Sequence, residues 1–205
     1  GPLVDFEIQR LYSASAEARW PGEGNADDTR GANHGILVQG VAFAPGLVGQ
    51  AFRLDGVDDF IRMASAPNLS PPGSFSISAW IFPSEDGNQA IVSKWEDNPQ
   101  HTNQCVYILN TAPGRRLGFG ISDDAHQGDE EFHSFRSPPN AISLNAWNHV
   151  VGVYDQATGT RQLYVNGALV AELIKPPISL TNSIADLTIG VVLNSPLDSF
   201  LYFEG

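Results

Sequence analysis

The most constraining feature of this chain is a two-residue punctuation mark, Asn166-Gly167, set between two apolar runs. Arg161–Val165 reads RQLYV and Ala168–Leu173 reads ALVAEL. Asn and Gly both tolerate positive φ, which a tight hairpin turn demands at its two central positions. The spacing predicts an antiparallel hairpin. Such a hairpin, apolar at alternate positions, needs a second layer to cover its apolar face. The same period of two recurs upstream. Phe75–Phe82 reads FSISAWIF, with Phe75, Ile77, Ala79 and Ile81 on one face and Ser76, Ser78, Trp80 and Phe82 on the other. Bulk on both faces predicts a central strand. Ala90–Lys94, Cys105–Leu109, Leu117–Ile121 and Asn148–Tyr154 are read as further strands, and Leu187–Gly190 and Phe200–Phe203 as two late ones. Asp155, Thr158 and Gly159 punctuate the chain between two of them.

Helical periodicity is scarce. Ile8–Arg19 has fair propensity but no convincing cap, and is read as a short helix or an extended lead-in. Many short strands without intervening helices predict an all-β protein of two packed antiparallel sheets with no helix longer than three turns. Its core is expected to hold Phe52, Ile77, Ile81, Val151, Val153, Leu163 and Val165, with Trp80, Trp147 and Tyr154 packed inside and Trp20 in the core or at a sheet edge on a first strand. The 20 Gly and 14 Pro among 205 residues suit the turns this requires.

The net charge of −12 repels phosphate backbones and anionic bilayers, so nucleic acid is excluded as an expected partner. No apolar run is long enough for a membrane span, and no membrane insertion is expected. The lone Cys105 has no intrachain disulfide partner. Gly1-Pro2 resembles the remnant of a removed tag, so the missing leader says nothing about compartment.

Several segments, in order, resemble bacterial laminin-G-like jelly rolls of the concanavalin-A-like superfamily. They are WPGEGNADDTRGANHG from Trp20, PGLVGQAFRLDGVDDF from Pro45, FSISAWIFP and IVSKW, LNAWNHVVGVYD with TGTRQLYVNGALVA, and LTIG from Leu187. The resemblance implies a two-sheet jelly-roll sandwich over residues 19–205, preceded by a lead-in over residues 1–18. It also implies a secreted or cell-surface protein. Family members usually continue past the Phe-Glu-Gly of Phe203–Gly205 into another strand. An open sheet edge near Phe200–Phe203 is therefore expected, ready for self-association or for a strand from another chain.

Function is read from side chains, because this fold hosts lectins, adhesins and hydrolases alike. Trp95 ends an apolar strand at the mouth of the polar loop Glu96–Gln104, which carries His101; a tryptophan there can stack on a sugar. Tyr107 follows that loop, and Asp123 and Asp124 open the most polar stretch, Asp123–His133. These five residues form the expected ligand contacts. Carboxylates are hard ligands suited to calcium. The resemblance implies that Asp28 and Asn33 hold a structural calcium ion; alternatively, the two simply cap and stabilise their turn. Asp55, Asp58 and Asp59 are expected to shape a hairpin.

No strand carries the spaced carboxylates of a retaining glycosidase, and the adjacent Glu130 and Glu131 would point to opposite faces of a strand. A non-catalytic module is expected. Two readings compete: glycan recognition, and a structural or adhesive module binding an extracellular protein or its own copies.

Overall fold

The computed structural model describes residues 17–95, 107–122, 134–180, 183–193 and 202–205. The strands are β1 (Ile36–Val38), β2 (Ala42–Pro45), β3 (Gln50–Arg53), β4 (Phe60–Met63), β5 (Phe75–Ile81), β6 (Gln89–Lys94), β7 (Tyr107–Ala112), β8 (Arg116–Ile121), β9 (Ser134–Arg136), β10 (Asn148–Asp155), β11 (Thr160–Val165), β12 (Ala168–Ile174) and β13 (Leu187–Ile189). They form a seven-stranded sheet in the order β1-β4-β13-β6-β7-β8-β9, a four-stranded sheet β12-β11-β10-β5 and the small pair β2-β3. Every pairing is antiparallel. The only helical turn among the described residues is the 3-10 turn Pro67–Leu69.

The hairpin predicted from Asn166-Gly167 is present. Both residues have positive φ, 50° and 80°, and Val165 pairs with Ala168. The two large sheets share one core. Phe75 of β5 contacts Tyr107, Phe119 and Tyr154, with ring centroids 5.3, 5.9 and 6.1 Å away. Offset and edge contacts of this kind stabilise beyond simple area burial. Tyr107 and Tyr154 keep their hydroxyls satisfied inside: Tyr107 donates to the Leu69 carbonyl at 3.0 Å, and Tyr154 to the Ile178 carbonyl at 2.9 Å.

One expected face is reversed. In β10 the buried residues are Asn148, Val150, Gly152 and Tyr154, while Val151 and Val153 point outward and are only half-buried. Bulk alone favours Val151 and Val153 for the core. The reason they lose is Gly152: a Cβ there would lie 2.8 Å from a ring carbon of Phe119. The missing side chain makes room for the opposing sheet's aromatic ring, and the register of β10 follows from that. Ile81, Leu163 and Val165 are buried as expected, and Phe52 and Ile77 pack against the core from partly buried positions.

Other expectations also change. β5 pairs only with β10 among the described strands, at the end of its sheet and not at its centre. Its two-sided bulk has another explanation, because Trp80 stands 47% exposed on the outer face. Trp147 is half-buried, edge-on to Phe82. Trp20 packs against the core from outside any strand and donates its indole N–H to the Asn33 carbonyl. Residues 202–203 are not in a strand; Glu204 bridges Asp55 instead. Phe203 is buried, and its N–H donates to Gly190, while Leu54 and Gly205 exchange backbone bonds. These contacts cover Phe203 and the two residues after it. Phe200, Leu201 and Cys105 fall outside the described residues, as does most of Ile8–Arg19; residues 17–19 are not helical.

A fully buried lysine ties two elements of the larger sheet together. Lys94 donates from Nζ to Ser65 Oγ at 3.0 Å and to the Ala185 carbonyl. Burial lowers its pKa to about 8, against the opposing pull of the Asp186 carboxylate. Because the folded value lies below the unfolded one, the unfolded chain holds the extra proton between pH 8 and 10.5. Stability from this group therefore rises with pH through that window.

Two outcomes follow. Val150→Asp buries an unpaired charge and should cost several kcal/mol, on the order that unfolds a domain. Val151→Asp should cost roughly 1 kcal/mol. Urea melts of the pair distinguish the two faces; equal losses would contradict the assigned register. Melts from pH 8 to 10 should also show the wild type gaining on Lys94→Met as pH rises.

Candidate functional site

The two large sheets present different outer faces to solvent. In β6, β7 and β8 every residue is buried except the half-buried Val92, Ile108 and Arg116. Those strands are covered on both sides. In β5, β10 and β11 burial alternates strictly, so the four-stranded sheet has one covered and one open face.

Register fixes what stands on the open face. Trp80 of β5 lies directly across from His149 of β10. The next row runs Ser78, Val151, Tyr164 and Leu169; the one after runs Ser76, Val153, Gln162 and Glu172. Trp80 and His149 stack with ring centroids 5.0 Å apart and planes tilted by 36°. Burial holds the His149 imidazole below its usual pKa, so the ring stacks as the neutral form at pH 7. Asn166, from the hairpin turn, accepts the His149 backbone N–H on Oδ1 at 2.8 Å and fixes that end of β10.

At the far end of the face the polar side chains form a relay. Tyr164 donates its hydroxyl to Gln162 Oε1 at 3.0 Å, and Gln162 donates from Nε2 to Glu172 Oε2 at 2.7 Å. The face therefore combines an exposed indole, a floor of valine methyls and preoriented polar groups. That combination suits a ligand with one apolar face and many hydroxyls.

Of the five expected ligand contacts, Tyr107 and Trp95 fall among the described residues. Tyr107 is a correction: it is buried in the core, with its ring against Phe75 and its hydroxyl already bonded, because β7 runs through the middle of the covered sheet. Trp95 is half-buried just past the end of β6. His101, Asp123 and Asp124 lie outside the described residues. Sequence reasoning missed the open face because Trp80 and His149 are 69 positions apart, and only the β5–β10 register joins them. The available signal was the indole at an odd-phase position of FSISAWIF, among outward serines.

Asp28 and Asn33 are brought together as expected. The Asp28 carboxylate accepts backbone N–H groups from Arg19 and Arg30 on Oδ1, at 3.0 and 2.9 Å. On Oδ2 it accepts both the backbone and side-chain N–H groups of Asn33, at 3.2 and 3.1 Å. Burial works to raise the Asp28 pKa, but these donors outweigh it and hold the carboxyl below its usual value. Asn33 turns a donor toward Asp28, not an oxygen, so the pair as arranged does not fit a calcium ion. It joins the 19–20 segment to the following turn.

A denser acidic group lies elsewhere. Asp55, Asp58 and Asp59 bring carboxylate oxygens within 4.8 Å of one another, beside a cavity lined also by Gly40, Ala42 and Arg53. Backbone donors occupy these carboxylates too: Asp55 Oδ1 accepts from Val57 and Asp58, and Asp59 Oδ1 from Gly40 at 2.6 Å. The bond from Val57 leads in holding Asp55 below its usual pKa. Asp55 and Asp59 brace the turn into β4 rather than the expected hairpin, because β4 pairs with β1 and β13 and not with β3.

The profile of the concanavalin A-like lectin/glucanases superfamily matches residues 55–201. Among solved structures, domain 4 of AbnA, a GH43 extracellular arabinanase from Geobacillus stearothermophilus, in complex with arabinotriose, superposes with a TM-score of 0.65 at 18% identity, over 91% of this chain and 87% of that one. The CBM40 of Ruminococcus gnavus IT-sialidase, bound to α2,3 sialyllactose, superposes with a TM-score of 0.54 at 15% identity, over 67% of this chain and 73% of that one. No curated protein matches the sequence.

Asp28→Ala should cost about 2 kcal/mol by leaving its N–H donors without an acceptor. The loss should be the same in chelator and in millimolar calcium. A melting temperature that climbs with calcium in the wild type, but not in Asp28→Ala, would place an ion at this turn and refute the reading. The Asp28 contribution should also fade as pH falls below 3.8, because its folded pKa is the lower one.

Proposed function

The chain belongs to the concanavalin A-like lectin/glucanase superfamily, and from that membership we propose that it is a non-catalytic carbohydrate-binding module of a secreted or cell-surface protein. The observation that carries the reading is the open face of β5, β10, β11 and β12, with Trp80 exposed and stacked on His149. An exposed aromatic ring stacked on a neighbour and anchored in a sheet offers a preformed surface to the apolar side of a sugar ring, and little entropy is lost on binding. The relay through Tyr164, Gln162 and Glu172 supplies directional bonds to hydroxyls. Likeness to modules solved with arabinotriose and with sialyllactose supports the class of ligand.

A binding role without hydrolysis fits the chemistry on this face. Its two carboxylates, Glu172 and Asp155, both already accept hydrogen bonds, Glu172 from Gln162 and Asp155 from Ala157, Thr158 and Ser74. Glycoside hydrolysis needs a carboxyl pair that is free to flank and act on the scissile bond.

An immobilised glycan array probed with the purified chain tests the proposal. Binding to at least one class of glycan is expected, and Trp80→Ala should weaken it about tenfold or more. Because Trp80 is half-exposed, the variant should keep its fold and nearly all of its melting temperature. Undiminished binding by Trp80→Ala would move the site elsewhere. Release of reducing ends from any bound polysaccharide would sink the non-catalytic reading.

A further inference from the structure

We infer that the open face selects a neutral oligosaccharide of at least two sugars, laid along β10 from the Trp80–His149 stack to the Tyr164–Gln162–Glu172 relay. The inference rests on the glycan-binding reading and adds to it the length, direction and charge of the ligand.

Length follows from strand geometry. His149, opposite Trp80, and Val153, in the row of Gln162 and Glu172, are four residues apart on β10. At about 3.4 Å per residue the two polar ends of the face are separated by roughly 13 Å. A single sugar ring cannot touch both ends. A ligand that uses the indole at one end and the relay at the other is an extended oligosaccharide. Between the ends, the middle row offers the exposed Ser78 beside Val151 on the β5 side, and Tyr164 and Leu169 on the other.

Charge follows from the direction of the relay. Tyr164 donates to Gln162, and Gln162 donates to Glu172, so the chain of bonds terminates in a carboxylate. Glu172 is exposed, and it still has acceptor capacity for a ligand hydroxyl. A sugar hydroxyl can donate to it; a uronate or sialate carboxylate cannot, and would be repelled at close range. No lysine or arginine stands in the three rows of the face to offset that repulsion. The net charge of −12 adds a long-range term of the same sign. The face thus accepts hydroxyl-rich neutral chains and rejects acidic ones.

Titration calorimetry with defined probes tests this on the whole chain. The neutral probes are glucose, xylose, cellotriose, xylotriose and arabinotriose; the acidic ones are trigalacturonate and 3′-sialyllactose. Expected is binding of at least one neutral trisaccharide at least tenfold tighter than the monosaccharides, with no measurable binding of the acidic probes at low salt. Glu172→Gln keeps the side chain's shape but turns a charged acceptor into a neutral amide. It should weaken the neutral trisaccharide about tenfold. Trp80→Ala should weaken it as well, and both variants should melt with the wild type. Monosaccharides binding as tightly as trisaccharides, acidic probes binding as tightly as neutral ones, or a Glu172→Gln variant with unchanged affinity would each overturn the inference while leaving the carbohydrate-binding module intact. A wild type that binds no glycan, in these titrations and on the array, overturns both.

Discussion

The packing of Phe119 onto Gly152 is the contact on which the rest of this sandwich depends. Phe119 projects from β8 in the seven-stranded sheet, and Gly152 lies in the middle of β10 in the four-stranded one. Two sheets facing each other are separated by about 10 Å, filled by side chains from both. Where one sheet offers a large ring, the other must offer little. Gly152 is the point where β10 yields, and Phe75 packs on the ring that uses the space, with Tyr107 and Tyr154 against Phe75 in turn. A side chain at position 152 would push the sheets apart or force Phe119 off its rotamer, and both routes are costly in a close-packed interior.

The tyrosines of this cluster do a second job. Burying a phenol without a partner is unfavourable, so each hydroxyl is tied to a backbone group outside the sheets. Tyr107 holds the carbonyl of Leu69, which ends the single 3-10 turn. Tyr154 both donates to the Ile178 carbonyl and accepts the Ile178 N–H, fixing the segment that leaves β12. The aromatic core therefore sets the path of connecting segments as well as the distance between sheets. Lys94 works in the same way within the larger sheet, reaching Ser65 and Ala185 from β6.

Much of this architecture is legible in the sequence, and the illegible parts have identifiable causes. The β11–β12 hairpin announces itself because Asn166 and Gly167 are the residues a positive-φ turn selects. β5, β6, β8 and β13 are visible as apolar runs between turn formers. β1 to β4 are three or four residues each, too short for a period to register, and Gly and Asp surround them. The phase of β10 is misleading for a different reason. Alternation identifies two faces but does not say which is inside, and Val-Val-Gly-Val-Tyr offers more aliphatic bulk on the face that ends up outside. Only the partner ring in β8 resolves it. Tyr107 misleads through its position beside a polar loop; its burial is decided by strands that sequence order does not place next to it. Trp80 and His149 could not be paired by any local pattern.

The same register that settles the core also creates the open face. Side chains in a strand alternate exactly, so committing Val150, Gly152 and Tyr154 inward commits His149, Val151 and Val153 outward. The β5 register then brings Trp80 opposite His149, and the β11 register brings Tyr164 and Gln162 alongside. A one-residue slip of β10 would bury the imidazole and expose the tyrosine that ties down Ile178. The fold cannot lose the open face without losing its core, because one glycine determines both. Within that constraint the outward residues remain free to vary. None of Ser76, Ser78 or Trp80 packs against the core, so their identity is set by what they meet in solvent. An indole left half in water on a β-sandwich contributes little to folding. Serine or threonine would serve the strand as well, and an exposed aromatic beside preoriented hydrogen-bonding groups is more readily explained by a ligand than by stability.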